Sequence, residues 1–294
     1  MNPEFWLARA NRVGHSAVPG NPSEDDLQVY ARYSEHLLRA QTASGKPGLI
    51  LGATRPIVDW CKNQTLNIAV MDFCMPLAQK LQSAYQDWDG VCIIVDDWLA
   101  ATQRDNSFCW AAGDGVINAV GSGRNVVQLL RQIRRVLEPG SMVILRHMVR
   151  PTQTPGVAEI LERAAAGRIR TLGGLKHRVA QALQGCFMDG VMTCGIRSAI
   201  LDSSLFRHDP DRRFPWSQES LSSLDYYVVE GASLCYPTLE ELRCLTDADL
   251  EELSITYGNY EMSDLCPTIV YRLRGRTEEK YSDAERYRNT APQE

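Results

Sequence analysis

Acidic residues follow short apolar segments at three places in the first half of the chain. Asp72 ends the segment NIAVMD, Asp96 and Asp97 end VCIIVDD, and Asp114 lies near the end of SFCWAAGDG. A carboxylate at the end of a buried strand can accept hydrogen bonds from the hydroxyl or amino groups of a ligand. These acidic residues are therefore the first candidates for binding chemistry.

An earlier apolar segment ends in a loop of the kind that cradles a nucleotide. Gly52, Ala53 and Thr54 form this loop, and Asp72 follows Gly52 by 20 residues, the usual distance for a carboxylate that binds ribose hydroxyls. A pyrophosphate needs several glycines and free backbone N–H groups, whereas this loop has one glycine, and Pro56 lacks an N–H group. The loop thus predicts an adenosine ligand without phosphates, S-adenosylmethionine, rather than a dinucleotide.

The elements that must position these residues alternate along the chain. Helical patterns separate the apolar segments, one beginning at Pro76 and another predicted to end at Pro139-Gly140. The predicted strands are GLILGA, NIAVMD, VCIIVDD, SFCWAAGDG and SMVILRHM. This alternation predicts a parallel sheet with right-handed crossovers, whose ligands bind at the carboxyl ends of the strands.

Composition narrows the class of protein. The chain has 294 residues, of which 44% are hydrophobic, enough for one α/β domain with a cap. Its 31 basic and 36 acidic residues give a net charge of −5, which argues against a nucleic-acid partner. There is no run of 18 apolar residues and no apolar N-terminal segment, so we expect a cytoplasmic protein without a membrane partner. Nine scattered cysteines and five dispersed histidines predict neither a disulfide framework nor a metal site.

The motifs LILGATRP, IAVMDFCMPLA, VDDWLA, AAGDGVINAV and RQIRRVLEPGSMVILR together resemble those of class I S-adenosylmethionine-dependent methyltransferases. The resemblance covers roughly residues 48–150 and is greatest to bacterial small-molecule methyltransferases with a glycine-poor first loop. YGNYEMSDLCPTIVYRLR resembles the end of that group, where it would supply the last two strands. The resemblance implies an α/β fold: a Rossmann-like, seven-stranded, mostly parallel sheet with a helical lid.

The resemblance also implies the organisation of the chain. Residues 1–45 would be an N-terminal helical arm, and residues 46–155 the core that binds S-adenosylmethionine. Residues 156–240 would form the lid over the substrate, residues 241–275 would complete the sheet, and residues 276–294 would be a tail.

Roles for individual residues follow from the same resemblance. Thr54 would bind the methionine carboxylate, and Asp72 would bind the ribose. Asp97, or its neighbour Asp96, would bind adenine, and Asp114 would face the amino group or the substrate. The predicted cofactor-binding residues are Gly52, Ala53, Thr54, Asp72, Phe73, Asp96, Asp97, Trp98, Asp114 and Gly115.

Residues for the acceptor substrate are expected in the arm and in the lid. Arginines and aromatic side chains there suit a carboxylated or aromatic substrate, although a solvated loop and ordinary packing are the alternatives. The predicted substrate residues are Trp6, Arg9, Tyr30, Tyr33, Arg197, Arg212 and Trp216. The predicted catalytic residues are His15, Asp114 and Tyr226, with His147 as a further candidate base.

Three functions remain open at this point. The first is methyl transfer to a small molecule, for example in specialised metabolism. The second is transfer or cyclisation of the aminobutyryl chain, which would release methylthioadenosine, and the third is cofactor binding without catalysis. The sequence identifies neither the acceptor nor the oligomeric state, and a homodimer is left open.

Overall fold

The computed structural model describes residues 2–12, 18–204, 216, 218–222 and 224–275. Within these ranges the strands are β1 (Gly48–Leu51), β2 (Ile68–Asp72), β3 (Val91–Val95), β4 (Phe108–Asp114), β5 (Leu137–Arg146), β6 (Val191–Met192), β7 (Ser233–Leu234), β8 (Leu250–Thr256) and β9 (Thr268–Leu273). The helices are α1 (Pro3–Arg12), α2 (Glu24–Ser44), α3 (Arg55–Asn63), α4 (Met75–Ala84), α5 (Val116–Ala119), α6 (Gly123–Val136), α7 (Val157–Ala165), α8 (Leu172–Leu183), α9 (Thr193–Leu201), α10 (Gln218–Ser222) and α11 (Leu239–Thr246). Short 3-10 turns cover Asp225–Val228 and Ser263–Leu265.

Seven of the described strands form one sheet in the order β3-β2-β1-β4-β5-β9-β8. Strands β1 to β5 are parallel, and β9 runs antiparallel between β5 and β8. At the carboxyl edge Leu51 of β1 pairs with Met71 of β2 on one side and with Gly113 of β4 on the other. The residues that follow these three strands are therefore neighbours.

Alternate residues of the central strands pack on opposite faces of the sheet. Ile50 packs with the apolar faces of α2, α3 and α4, whereas Leu49 and Leu51 pack with α5 and α6. All four residues of β1 and all five of β2 are buried, as expected for strands covered by helices on both sides. The predicted α/β fold with a seven-stranded, mostly parallel sheet is confirmed.

The lid has a hydrophobic core of its own. Helices α7, α8 and α9 bury Leu161, Leu175 and Ile196 together, and Phe5 of α1 joins this cluster. The two-stranded sheet of β6 and β7 lies beside it. Gly190 has a φ of +74°, and a Cβ there would lie 1.9 Å from a backbone carbonyl oxygen of the core, so only glycine fits this contact between lid and core.

Three boundaries differ from the sequence predictions. The helix predicted to end at Pro139-Gly140 ends at Val136, because buried Leu137 is extended and pairs with Phe108. The lid was predicted to be helical, but its described part also contains the short strands β6, just before α9, and β7.

The C-terminal stretch was predicted to supply the last two strands, yet β8 lies before it. Only β9 falls within residues 257–274. The first part of that stretch instead turns back, with Met262 at a φ of +75° just before the 3-10 turn. Among the described helices, none combines the length and hydropathy needed to cross a bilayer.

Candidate ligand-binding site

A cavity of about 470 Å³ lies where β1, β2 and β4 end. Its floor is made by the residues that follow these strands, and its cover by α1 and the lid. The volume falls within the range of roughly 300–1,000 Å³ that small-molecule sites have. The cavity is therefore in the place, and of the size, that a ligand of this kind of sheet requires.

The loop after β1 has few backbone donors left for a ligand. The N–H group of Gly52 donates to a β2 carbonyl over 2.9 Å, and that of Thr54 donates to the Gly52 carbonyl over 2.8 Å. The N–H group of Ala53 donates to the Asp72 carboxylate over 2.9 Å, and Pro56 has no N–H group. A pyrophosphate would thus find the N–H groups of Gly52, Ala53 and Thr54 already bonded, so the loop favours a ligand without phosphates.

Asp72 is held rigidly at the cavity wall. Its side chain is buried, and its two carboxylate oxygens accept hydrogen bonds from the N–H groups of Ala53, at 2.9 Å, and Cys74, at 2.7 Å. Each carboxylate oxygen has a second lone pair with which it can accept a further hydrogen bond. This geometry allows one carboxylate both to fix the loop and to bind adjacent hydroxyl groups.

Aromatic side chains form one wall of the cavity. The rings of Trp6 and Phe73 lie 6.0 Å apart and those of Phe73 and Trp98 5.9 Å apart, all edge to face. The Trp98 indole N–H donates to a backbone carbonyl of β2 over 2.8 Å, which fixes that ring. On the lid side Phe5 and Tyr226 are 5.3 Å apart. Such rings can pack on a heterocycle and attract a cation.

Asp114 is bound by a buried arginine. The guanidinium of Arg146 lies 2.6 Å from the Asp114 carboxylate and 3.2 Å from that of Asp26. It also donates to the Pro19 carbonyl over 2.7 Å and to the Tyr260 hydroxyl. Burial alone would lower the pKa of Arg146, but the neighbouring Asp114 carboxylate raises it, and the net shift is upward. One cation thus fixes Asp114 at the cavity and holds the chain before α2 against the sheet.

The lid supplies polar residues that the sequence did not predict. Lys176 and His177 of α8 line the cavity, as does Tyr236 after β7. The His177 Nδ1 atom lies 2.9 Å from the Tyr236 hydroxyl. The Lys176 ammonium lies 5.5 Å from the ring centre of Tyr226 and 5.3 Å from that of Tyr227. No local motif marks these residues; only the packing of the lid brings them together.

The structure places ten of the predicted site residues in the wall of this cavity. They are Trp6, Gly52, Ala53, Thr54, Asp72, Phe73, Trp98, Asp114, Gly115 and Tyr226. The Thr54 side chain makes no capping hydrogen bond to α3, although threonine often caps a helix at such a position. Their roles stay predictions, but their proximity is what those roles require.

Asp96 and Asp97 do not line the cavity. The Asp96 carboxylate accepts hydrogen bonds from the N–H and hydroxyl groups of Thr102. Partial burial alone would raise the pKa of Asp96, but these bonds outweigh it and lower the pKa. Asp97 is exposed and accepts from the Leu99 N–H group. Both carboxylates fold back onto their own loop, away from the predicted adenine contact.

Tyr30 and Tyr33 of α2 also lie away from the cavity that they were expected to cover. Tyr30 is fully buried in the core beneath the sheet, and burial raises the pKa of its hydroxyl. The Tyr33 hydroxyl lies 3.1 Å from the Ser254 hydroxyl of β8. Helix α2 covers a face of the sheet and not its carboxyl edge, which explains both positions.

Two predicted substrate residues of the lid do not reach the cavity either. Arg197 is half-buried on α9 and does not contribute to the wall. The Trp216 indole N–H donates to the Arg170 carbonyl over 3.0 Å and the ring packs against the lid core. Both side chains belong to the outer layers of the lid.

Of the remaining candidates, one is buried, and the structure does not describe the side chains of the other three. His147 is fully buried beside Tyr271, and burial, with the charge of Arg146, lowers its pKa to about 3. It does not line the cavity and is no candidate base. His15 and Arg212 lie outside the described residues, and of Arg9 only the backbone is described.

Neither metal ligands nor disulfides were found where the chain is described. No three His, Cys, Asp or Glu side chains of these residues come together as a metal site would need. All nine cysteines lie in the described ranges as free thiols, and five of them are buried.

The sheet order and the cavity define the Rossmann-like fold of class I S-adenosylmethionine-dependent methyltransferases. No protein-family model and no curated protein sequence matches the chain. Among solved structures, the CcbJ methyltransferase from Streptomyces caelestis is 14% identical, with a TM-score of 0.52 over 91% of this chain and 96% of that one. A proposed zinc-dependent alcohol dehydrogenase from Rhodobacter sphaeroides is 13% identical, with a TM-score of 0.57 over 94% and 98%.

A third similar structure is the N-methyltransferase NodS from Bradyrhizobium japonicum WM9 in complex with S-adenosyl-L-homocysteine. It is 10% identical, with a TM-score of 0.47 over 92% of this chain and 98% of that one. At the identities of the first two structures, the likeness concerns the fold alone. Because one fold carries many functions, function has to be argued from the site.

Proposed function

We propose that this chain is an S-adenosylmethionine-dependent methyltransferase that acts on a small molecule. The observation that carries the proposal concerns the loop after β1. The Ala53 N–H group in this loop donates to the Asp72 carboxylate, and Pro56 has no N–H group. A nicotinamide dinucleotide would need those donors for its pyrophosphate. An adenosine ligand without phosphates does not need these backbone donors. It needs an acceptor for its ribose hydroxyls, which the Asp72 carboxylate would supply.

The wall of the cavity fits the parts of S-adenosylmethionine. Asp72 would accept hydrogen bonds from the ribose hydroxyls, and the Trp98 ring would pack on the adenine. Thr54 and Asp114 would bind the carboxylate and the ammonium of the methionine part. When bound, this cofactor supplies an activated methyl group on a positively charged sulfur.

The chain's own contribution to such a transfer is alignment and exclusion of water. The cover formed by Phe5, Trp6 and the lid would hold an acceptor against the cofactor, and proximity of this kind accounts for much of the rate of a displacement. A hydroxyl or amine acceptor must also lose a proton. Asp114 and Tyr226 line the cavity as predicted candidates for this step, and His177 joins them.

The products of one incubation test the proposal. The protein is mixed with S-adenosylmethionine labelled in both the methyl group and the aminobutyryl chain, together with a small-molecule extract, and the products are read by mass spectrometry. We expect S-adenosylhomocysteine and a methylated acceptor. An Asp72→Ala variant serves as the control, because it should lose the cofactor site.

Other products would replace the proposal. Methylthioadenosine without S-adenosylhomocysteine would indicate transfer or cyclisation of the aminobutyryl chain. Binding of the cofactor without any product, with every extract tried, would favour a non-catalytic binding protein. Reduction of NAD by an alcohol in the extract would make the chain a dehydrogenase on the same fold.

A further inference from the structure

A second cavity, of about 270 Å³, lies behind the lid helix α8. It is bounded by the loop after β5, by α7 and by α8. Arg163, Arg168 and Arg178 line it, and among the residues that the structure describes no aspartate or glutamate does. We call it the arginine-lined cavity.

The positive charge of this cavity is only partly balanced. Arg163 forms an exposed ion pair with Glu159 one helical turn away. Neither Arg168 nor Arg178 forms an ion pair with any residue in the described ranges, and the Arg178 Nε atom is buried without a hydrogen-bond partner. A buried donor without a partner costs about 1–3 kcal/mol, and more when it is charged. Arg178 lines the cavity, so an anion there would pair with the charge of its guanidinium.

The nearby carboxylate of Glu261 does not balance the charge. It accepts hydrogen bonds from the backbone N–H groups of Arg170 and Thr171, just before α8. Glu261 does not line the arginine-lined cavity and forms no ion pair with Arg178. Within the described part of the chain, the guanidinium of Arg178 therefore lines a cavity that has no anionic side chain.

The rest of the wall is mainly apolar. Ile160, Ile169 and Leu265 contribute side chains, and Pro151 and Pro155 contribute rings. The volume equals that of about nine water molecules in the liquid, which is room for a chain of several carbon atoms. Inorganic ions would leave most of this apolar surface uncovered, whereas an anion on an apolar body would cover it.

We propose that the arginine-lined cavity binds a carboxylate carried on a short apolar body. The forked guanidinium of Arg178 would bind the carboxylate, Arg168 would add a second positive charge, and Ile160 and Ile169 would contact the body. Helix α8 lies between the two cavities, with His177 toward the first and Arg178 toward the second. The inference does not depend on the proposed function.

Hexanoate is a suitable probe for calorimetric titration of the full chain at constant ionic strength. Saturable binding is expected, and Arg178→Gln should weaken it by about 10- to 100-fold, the loss of one charge-assisted interaction. Arg170→Gln is the matched control, because Arg170 is exposed and close in sequence but does not line the cavity. Hexanamide, which has the same body without the charge, should bind at least about tenfold more weakly.

The site of binding is read from the methyl resonances of Ile160 and Ile169, assigned with Ile160→Val and Ile169→Val. Shifts of both resonances that disappear in Arg178→Gln would support the proposal. Equal binding of hexanamide, equal affinity of the Arg178→Gln variant, or shifts elsewhere only would overturn it. If phosphate bound as tightly as hexanoate, the proposed contact with an apolar body would be wrong, and the cavity would be a simple anion site.

Discussion

Replacement of Asp72 by alanine should weaken the binding of an adenosine ligand strongly. The variant removes the acceptor for the ribose hydroxyls, and two lost charge-assisted hydrogen bonds amount to about 2–4 kcal/mol, or roughly 30- to 1,000-fold in affinity. Because the carboxylate is buried and fixed by Ala53 and Cys74, it needs no reorganisation to bind these hydroxyls. The loss should therefore lie toward the upper part of that range.

The same substitution should lower stability. In the structure two backbone N–H groups lose their acceptor, so the free energy of unfolding should fall by about 2–4 kcal/mol. Urea denaturation measures this loss and shows whether the variant is still folded for binding studies.

A pair of ligands separates direct binding from an effect of the loop. Calorimetry compares adenosine with 2′,3′-dideoxyadenosine, and the variant should lose affinity for adenosine only. Asp189→Ala, which removes an exposed carboxylate paired with Arg124, is the control and should change neither affinity. Equal losses for both ligands in Asp72→Ala would refute the ribose role and leave Asp72 as a support of the loop.

Further outcomes follow from the buried charges and the lid. Arg146→Gln should lower the free energy of unfolding by about 3–5 kcal/mol in urea, because it leaves two buried carboxylates without their cation; unchanged stability would contradict the network. The pKa of His147 is about 3 in the folded chain and about 6.5 when unfolded. The unfolded state therefore binds more protons between these values, and stability should fall by about 3 kcal/mol from pH 7 to pH 4 through this residue. His147→Gln should remove that contribution, and His36→Gln, at an exposed site, should not. Tyr226→Ala should reduce the consumption of labelled S-adenosylmethionine far more than it reduces the affinity for S-adenosylhomocysteine. Trp216→Ala, the control, should change neither quantity. Equal losses of both in Tyr226→Ala would place Tyr226 in the cofactor site.

The sequence predicted the residues whose position depends on local structure. Gly52 and Asp72 each follow a short, buried strand, and neighbouring parallel strands end at the same edge, so their proximity follows from the pattern alone. The same reasoning was less accurate for Asp96. It also follows a strand, but its carboxylate binds Thr102 in its own loop, a local contact that the strand pattern does not reveal.

Residues that depend on tertiary packing were not predictable in this way. Tyr30 belongs to a helix with polar and apolar faces, and only the packing of α2 shows that the ring lies in the core. Lys176 and His177 are neighbours on α8, whereas Tyr236 lies 59 residues beyond His177, and no spacing connects the two segments. Their meeting depends on the fold of the lid around its own core.

Calorimetric titration of the purified chain with S-adenosylhomocysteine and, separately, with NAD tests the central claim most directly. We predict saturable binding of S-adenosylhomocysteine and no heat of binding from NAD, because the N–H groups of Gly52, Ala53 and Thr54 are already bonded within the protein and Pro56 has no N–H group. Saturable binding of NAD with no response to S-adenosylhomocysteine would contradict it.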